Sequence, residues 1–469
     1  MLGLFAGVYL FLTQNNRSPV PQKPPGLNTD PTPFHILPLA SSSHFWGIFE
    51  TIDLPDFAGF NPSILSLPDP TGNGNWTLVA VGRDAHRVVT IDANEVQPHA
   101  LFGALLHIVD SDPRVRGRWA PRDYPHTPSH FVQMLDRLVR SDDFRFPKCL
   151  PDPIGWFYNN QGPEDGRLVW SHLGEPLLVY NSLSAKSTDL CRMLYLTDLR
   201  SVYPPLVDRL LQLGVEPTPL RFNKSVPLYI PGQAKAQKNW IPFTTASGEI
   251  YIHFSLVPQT IYKLDLSLPI LPTWESPEPE LEILEPVVLH TVDEPNCFNI
   301  ALNGSDFHQS SPFVETVLCT YAEIRSGACD PTHPKNRIYM GSVHVLHHED
   351  RGFYEPRIVT FEATLPFNYV SISKPLIYSM VPLFFKGLVL LIALVGTYPK
   401  HELVYTVSLS FRKREITTSP TELAVGYLDD ILIISFGIAD SSCHFLEVEV
   451  QEVLRDHIIC ENVLNSMSN

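Results

Sequence analysis

Basic charge is scarce in this chain: 34 Lys and Arg stand against 50 Asp and Glu in 469 residues, a formal net charge of -16. So acidic a balance argues against nucleic acid and anionic membrane surfaces as partners, because both need clustered cations. Long amphipathic helices are nearly missing. Only His130 to Leu138 and Leu206 to Leu213, the latter preceded by Pro204-Pro205, show a helical spacing of apolar residues. The seven cysteines (Cys149, Cys191, Cys297, Cys319, Cys329, Cys443, Cys460) include no CxxC and no zinc-ligand spacing, so they read as structural. Cys319 and Cys329 are the pair closest in sequence, and the odd count leaves at least one thiol free or intermolecular. A Gly-rich phosphate loop and a Gly-x-Ser-x-Gly elbow are absent.

No apolar run reaches the roughly 20 residues of a spanning helix. The run Met1 to Leu12 is short and lacks a basic n-region, which leaves a signal peptide, a clipped signal-anchor and a mis-assigned start as readings. Residues 13–35 are polar and Pro-rich, as a stem or linker would be. Gly387 to Gly396 is a second apolar run, flanked by Lys386 and Pro399-Lys400, and reads as a buried strand. Four Asn-x-Ser/Thr triplets, at Asn16, Asn75, Asn223 and Asn303, are compatible with passage through the secretory pathway. The expected location is the secretory pathway, with a lumenal domain on an N-terminal membrane anchor or a secreted protein.

What the chain has in quantity is proline, 44 residues against 25 glycines. Proline at that density breaks helices and punctuates short strands. Strand patterns recur along the whole length: Trp76 to Val81, Leu168 to Ser171, Leu177 to Tyr180, Met193 to Leu196, Ile250 to Phe254, Arg357 to Phe361, Val404 to Phe411 and Ile431 to Phe436. Strands without alternating helices predict an all-β fold, and so many sheet edges favour a closed radial arrangement, a β-propeller. The acidic, Pro-rich segment Pro269 to Pro286 reads as a crossing between two sheets rather than a domain border. Residues 36–469 are therefore expected to form one domain.

The segment Gly162-Pro163-Glu164-Asp165-Gly166-Arg167 places two carboxylates and a guanidinium on a turn that enters the strand-like Leu168-Val169-Trp170. A carboxyl group on such an edge suits glycosidic chemistry, in which a proton moves to or from a sugar oxygen. Alone, the same residues describe a solvated surface turn.

Four more segments accompany it: Phe60-Asn61-Pro62-Ser63-Ile64 with a strand ending Val81-Gly82-Arg83; Lys238-Asn239-Trp240; Tyr369 to Leu376 with Ser373-Lys374-Pro375-Leu376; and Gly426 to Asp430 with the strand ending Phe436-Gly437-Ile438-Ala439-Asp440. In this order, over roughly residues 57 to 450, they resemble the β-mannoside phosphorylases and hydrolases of glycoside hydrolase family 130 and the related fungal and protozoan β-mannosyltransferases. The resemblance implies a five-bladed β-propeller with its site on the central axis. It implies Asp165 as the catalytic carboxyl of an inverting reaction, acid in hydrolysis or base toward an acceptor hydroxyl in transfer. Glu164 and Arg167 would hold the turn and contact sugar hydroxyls, and Asn61 and Arg83 would face the axis toward sugar or phosphate. The family's proline is here Gly166, which would loosen the turn.

Arg192 and Lys238 are further cationic candidates for a phosphate-bearing substrate. His344 and His348 share a strand face, His347 takes the other, and Tyr354 follows as a pocket-lining residue; no metal and no cofactor are expected. Asp440 ends the last strand as a ligand or turn residue. The expected activity is an inverting glycosyltransferase acting on β-mannosides, taking a mannose-containing glycan and a sugar-phosphate or nucleotide-sugar donor. The alternatives are a β-mannoside phosphorylase or hydrolase, and a non-catalytic glycan-binding propeller.

Overall fold

The computed structural model describes residues 48–50, 52–53, 60–69, 75–84, 89–91, 94–98, 100–109, 132–133, 160–161, 163–183, 192–229, 239–264, 282–289, 297–298, 306–347, 353–379, 404–413, 415, 417–438, 442–455 and 457–460. These residues are mostly β-sheet with few helices. Most of the strands fall into four-stranded groups. The first holds Phe60–Ser66, Asn75–Asp84, Ala100–Val109 and Val132–Gln133. The second holds Glu164–Trp170, Pro176–Leu183, Arg192–Asp198 and Val226–Tyr229. The third holds Ile241–Thr244, Ile250–Ser255, Thr260–Leu264 and Glu282–Leu289.

The fourth group is Val314–Val317, Arg337–His347, Phe353–Glu362 and Tyr369–Ile372, widened by Val425–Tyr427 and Ile458–Ile459. Asp306–Gln309 also pairs with Arg337–His347. The fifth is Val404–Arg412, Ile431–Ile438 and Ser442–Glu449, completed at its outer edge by the N-terminal Ile52–Asp53. Within each group the four core strands run antiparallel, as short connections allow.

The second and third groups join into one sheet through parallel pairing of Val226–Tyr229 with Glu282–Leu289. Glu282 to Pro286, the end of the acidic Pro-rich segment, are thus ladder residues of that sheet, and residues 269–281 of the segment lie outside the described residues. Val132 and Gln133 pair with Gly103 and Phe102, so part of the expected helix His130 to Leu138 is strand; the periodicity there was overridden by an open sheet edge. The other expected helix is present as Pro204–Gln212, started by its two prolines.

The faces of neighbouring groups pack on each other through side chains that alternate along every strand. Leu168, Leu178 and Tyr180 meet Leu65, Val79 and Val81 of the first group, while Val169, Leu177 and Val179 turn toward Trp240, Ile250 and Ile252 of the third. Phe243 and Tyr251 pack with Phe313, Tyr339, Phe361 and Phe367 between the third and fourth groups. Ile338, Met340 and Ile358 face Leu409, Phe411, Ile434 and Phe436 between the fourth and fifth. Burial of one such side chain contributes about 1.5–3 kcal/mol, so these layers outweigh any single polar contact.

Serine hydroxyls tie the first strands of neighbouring groups together where two backbones pass without ladder pairing. The Leu168 N–H donates to Ser63 Oγ at 2.8 Å, Ile64 N–H to Ser408 Oγ at 2.7 Å, and Ser66 N–H to Ser410 Oγ at 2.9 Å. They link the first group to the second and to the fifth, and satisfy buried donors that would otherwise cost free energy.

Disulfides join Cys297 to Cys460 and Cys319 to Cys329, the latter enclosing the helix Tyr321–Ser326; Cys443 is buried. Among the described residues no helix is long and apolar enough to cross a membrane. Residues 1–12, the stem 13–35 and the apolar run 387–396 lie outside the described residues.

Candidate functional site

Four non-glycine residues among those described have a left-handed backbone; one is Phe367, and the other three share a place in the fold. Asn61, Asp165 and Asn239 have φ of 51°, 52° and 61°, left-handed values that Asn and Asp tolerate best. Each stands at or just before the start of the first strand of its group, the first, second and third respectively. Strand register shifts beside two of them, between Phe60 and Ser63 and between Glu164 and Arg167. A bulge of this kind re-aims a side chain, and such strain collects where function over-determines the backbone.

The Asp165 bulge brings carboxylates to a guanidinium from the neighbouring group. Arg83 Nη2 lies 2.8 Å from Glu164 Oε2, and Arg83 Nη1 donates to Asp165 Oδ1 at 3.3 Å. Asn181 Nδ2 donates to Asp165 Oδ2 at 3.3 Å, so each Asp165 oxygen accepts a bond. Glu164 is fully buried while Asp165 and Arg83 are half-buried. Glu164 is therefore the internal partner of Arg83, and Asp165 is the carboxylate of the pair with access to a ligand.

Strand alternation across the bulge sends Arg167 to a second cluster. Its guanidinium, only 3 % exposed, donates from Nη2 to the Tyr405 hydroxyl at 2.8 Å and from Nη1 to Gly166 O at 3.3 Å, and lies 5.3 Å from the Tyr405 ring centroid. The Tyr405 hydroxyl in turn donates to Asn239 Oδ1 at 3.2 Å. The Tyr405 ring sits among His308, His344 and Tyr354, with centroids 6.5, 4.7 and 5.9 Å away. Asn61 joins from the other side. A Cβ built on Gly437, the register partner of Tyr405, would lie 1.9 Å from Asn61 Oδ1, so only glycine fits beneath that side chain.

His344 is fully buried and accepts the Thr406 N–H on Nε2 at 2.9 Å. That bond assigns the ring proton to Nδ1, which has no hydrogen-bond partner among the described residues. Burial, with the neighbouring His308 and Arg167, pushes the His344 pKa well below the ordinary histidine value, so the ring is neutral.

No protein-family model matches the chain, and no curated protein matches it. Among solved structures it is similar to a candidate glycosidase from Bacteroides thetaiotaomicron, at 12% identity and a TM-score of 0.39, covering 86% of this chain and 88% of that one. It is also similar to a hypothetical protein from Leishmania major (10%, 0.34, covering 88% and 93%) and to an α-L-arabinanase mutant from Cellvibrio cellulosa (11%, 0.31, covering 89% and 98%). At these identities and TM-scores the likeness bears on neither substrate nor mechanism.

Of the residues expected from sequence, Arg83, Glu164 and Asp165 form one cluster, Arg167, His344 and Tyr354 a second beside it, and Asn61 reaches the second through Gly437. Arg192 opens the strand Arg192–Asp198 opposite Leu183, and Lys238, Asp440 and His348 lie outside the described residues. Gly166 does not loosen a turn. It is a buried strand residue, where a Cβ would meet Leu178 Cδ1 at 3.2 Å and Val81 Cγ1 at 3.4 Å, and Asp165 carries the left-handed backbone. Packing between the first and second groups supplies the rigidity that a proline ring would.

Sequence reasoning missed Asn181, Asn239, His308 and Tyr405. Asn239 could have been found, since it stands in the Lys238-Asn239-Trp240 segment and asparagine suits a left-handed site. Tyr405 could not: it begins a strand whose aromatic and β-branched residues all look like core.

Proposed function

We propose that this chain is a carbohydrate-active five-bladed β-propeller that transfers a mannosyl group with inversion, Asp165 acting as the base. The reading rests on one observation. Both Asp165 oxygens accept hydrogen bonds, one from a guanidinium and one from an amide, and two such donors favour the ionised carboxylate. An ionised carboxylate takes a proton from an acceptor hydroxyl, whereas hydrolysis of a glycoside asks for a protonated acid at the leaving oxygen.

In the proposed step the acceptor O–H gives its proton to Asp165 as its oxygen attacks the anomeric carbon. The bond to the leaving group breaks on the opposite face, and that group departs with the electron pair. A phosphate-type leaving group needs no proton, so one carboxylate suffices. Arg83 fixes the carboxylate, with Glu164 buried behind it as counter-charge. Five four-stranded groups whose first strands are bonded from the fifth to the first support the radial arrangement. Residues 1–12 as a membrane anchor or signal, and a secretory-pathway location, belong to the same proposal.

The test is a screen of mannose 1-phosphate and nucleotide-activated mannose against β-mannoside acceptors, with the full chain made in a secretory host. The expected result is an inverted glycoside, and a loss of turnover of about 10²-fold or more in Asp165→Asn with melting unchanged. Unaltered turnover in that variant would sink the assignment. Product formed only from a β-mannoside with phosphate or water would reassign the reaction as phosphorolysis or hydrolysis.

A further inference from the structure

Among the described residues, Arg167 stands apart from the buried and half-buried cations that form ion pairs. Arg83 is paired with Glu164 and Asp165, Arg200 with Asp198, Arg221 with Glu175, Arg337 with Glu315, Arg357 with Glu355 and Lys413 with Asp430. Arg167 lies as deep as any of them, yet among the described residues no carboxylate approaches it within ion-pair distance. Its hydrogen bonds go to a carbonyl and to one tyrosine hydroxyl, and its Nε–H has no acceptor. A buried guanidinium left this way costs several kcal/mol relative to a paired one, and a planar fork of donors is suited to an oxyanion.

A second, independent group in the same cluster is also unspent. His344 is fully buried, its Nε2 is occupied by Thr406, and its Nδ1–H has no acceptor among the described residues. Around them Tyr405, His308, Tyr354 and Asn239 are half-buried, and Asp165, two residues before Arg167 on the same strand, is half-buried as well. The first cluster holds both carboxylates on Arg83; among the described residues the second holds no carboxylate. We infer that Arg167, held in place by Tyr405 and backed by His344, receives an oxyanion carried by or bound with the sugar substrate: a phosphate or a sugar carboxylate. The inference rests on the carbohydrate reading above but not on the catalytic role of Asp165.

The experiment is calorimetric titration of the full chain with four probes: inorganic phosphate, mannose 1-phosphate, a uronic acid and mannose. At least one anionic probe is expected to bind at least tenfold more tightly than mannose. Which one does so identifies the source as free phosphate, a sugar phosphate or an acidic sugar. Arg167→Gln is expected to erase the preference, and Arg167→Lys, which keeps charge but not the fork, to weaken it about tenfold. Asp165→Asn is expected to retain it, which separates this inference from the transfer reading. Wild-type protein that binds mannose and all three anions equally overturns the proposal even if Arg167→Gln fails to fold. An undiminished preference in a folded Arg167→Gln protein overturns it as well.

Discussion

At the far end of the strand Glu164–Trp170, about 20 Å from Asp165, His172, Glu315 and Arg337 form a network in which every charge has a partner. His172 Nε2 meets Glu315 Oε2 at 2.5 Å, Arg337 Nε donates to Glu315 Oε1, and His172 Nδ1 pairs with Thr244 Oγ1 at 2.9 Å. Next to it Arg221 donates to both oxygens of Glu175. The near end, with Arg83, Glu164, Asp165 and Arg167, also holds carboxylates and guanidinia, but there one carboxylate is half-buried and one guanidinium has no carboxylate partner among the described residues. A saturated network is what a fold uses to fasten three strand groups together; an unsaturated one makes sense when a ligand completes it.

The sharpest way to break this contrast is to remove Glu315. Glu315→Ala leaves the half-buried Arg337 without its carboxylate and His172 Nε2 without its hydrogen-bond partner, and the expected loss is up to about 3–5 kcal/mol of stability, read from denaturant unfolding. Sugar binding per folded molecule should not change. A stable Glu315→Ala protein with altered ligand binding would mean that the far end, too, is a site.

Acid sharpens the comparison next. His253, fully buried between the third and fourth groups, has its pKa pushed down to about 3 by burial. The unfolded chain binds a proton there below about 6.5 that the folded chain refuses. Stability therefore falls as pH drops from about 6.5 toward 3, by up to ~1.4 kcal/mol per pH unit from this one group. Burial alone would raise the Glu315 carboxyl, but its bonds to His172 and Arg337 hold it below its ordinary value. Its contribution is present above the ordinary carboxylate range and is lost as pH falls through the lowered value. Melting curves of His253→Gln against pH should show a shallower slope between 3 and 6.5. An unchanged slope would remove His253 from the account.

The smallest effect belongs to an ordinary surface pair. Arg325 and Glu415 form an exposed ion pair, and Arg325→Ala should shift stability by no more than about 0.5 kcal/mol. A larger shift in a thermal melt would show that pairing alone, without burial, matters in this protein, and would weaken the distinction drawn between the two ends.

Much of the scaffold could be read from the residues. Alternating apolar runs such as Ile431 to Phe436 and Leu177 to Tyr180 are strands because one chain's side chains must point both ways between two packed groups. Val132 and Gln133 were misread, since helical spacing in a short segment yields to a vacant sheet edge. The sequence by itself determined a β-rich chain of short strands, an acidic surface, and the presence of Glu164-Asp165 beside Arg167 on one strand. Only the tertiary structure decided which of those charges are spent. Arg83 reaches Glu164 and Asp165 across 81 and 82 positions of sequence, and Tyr405 reaches Arg167 across 238. Such partnerships follow from how sheet faces stack, which depends on all the strands at once, and no local pattern records them.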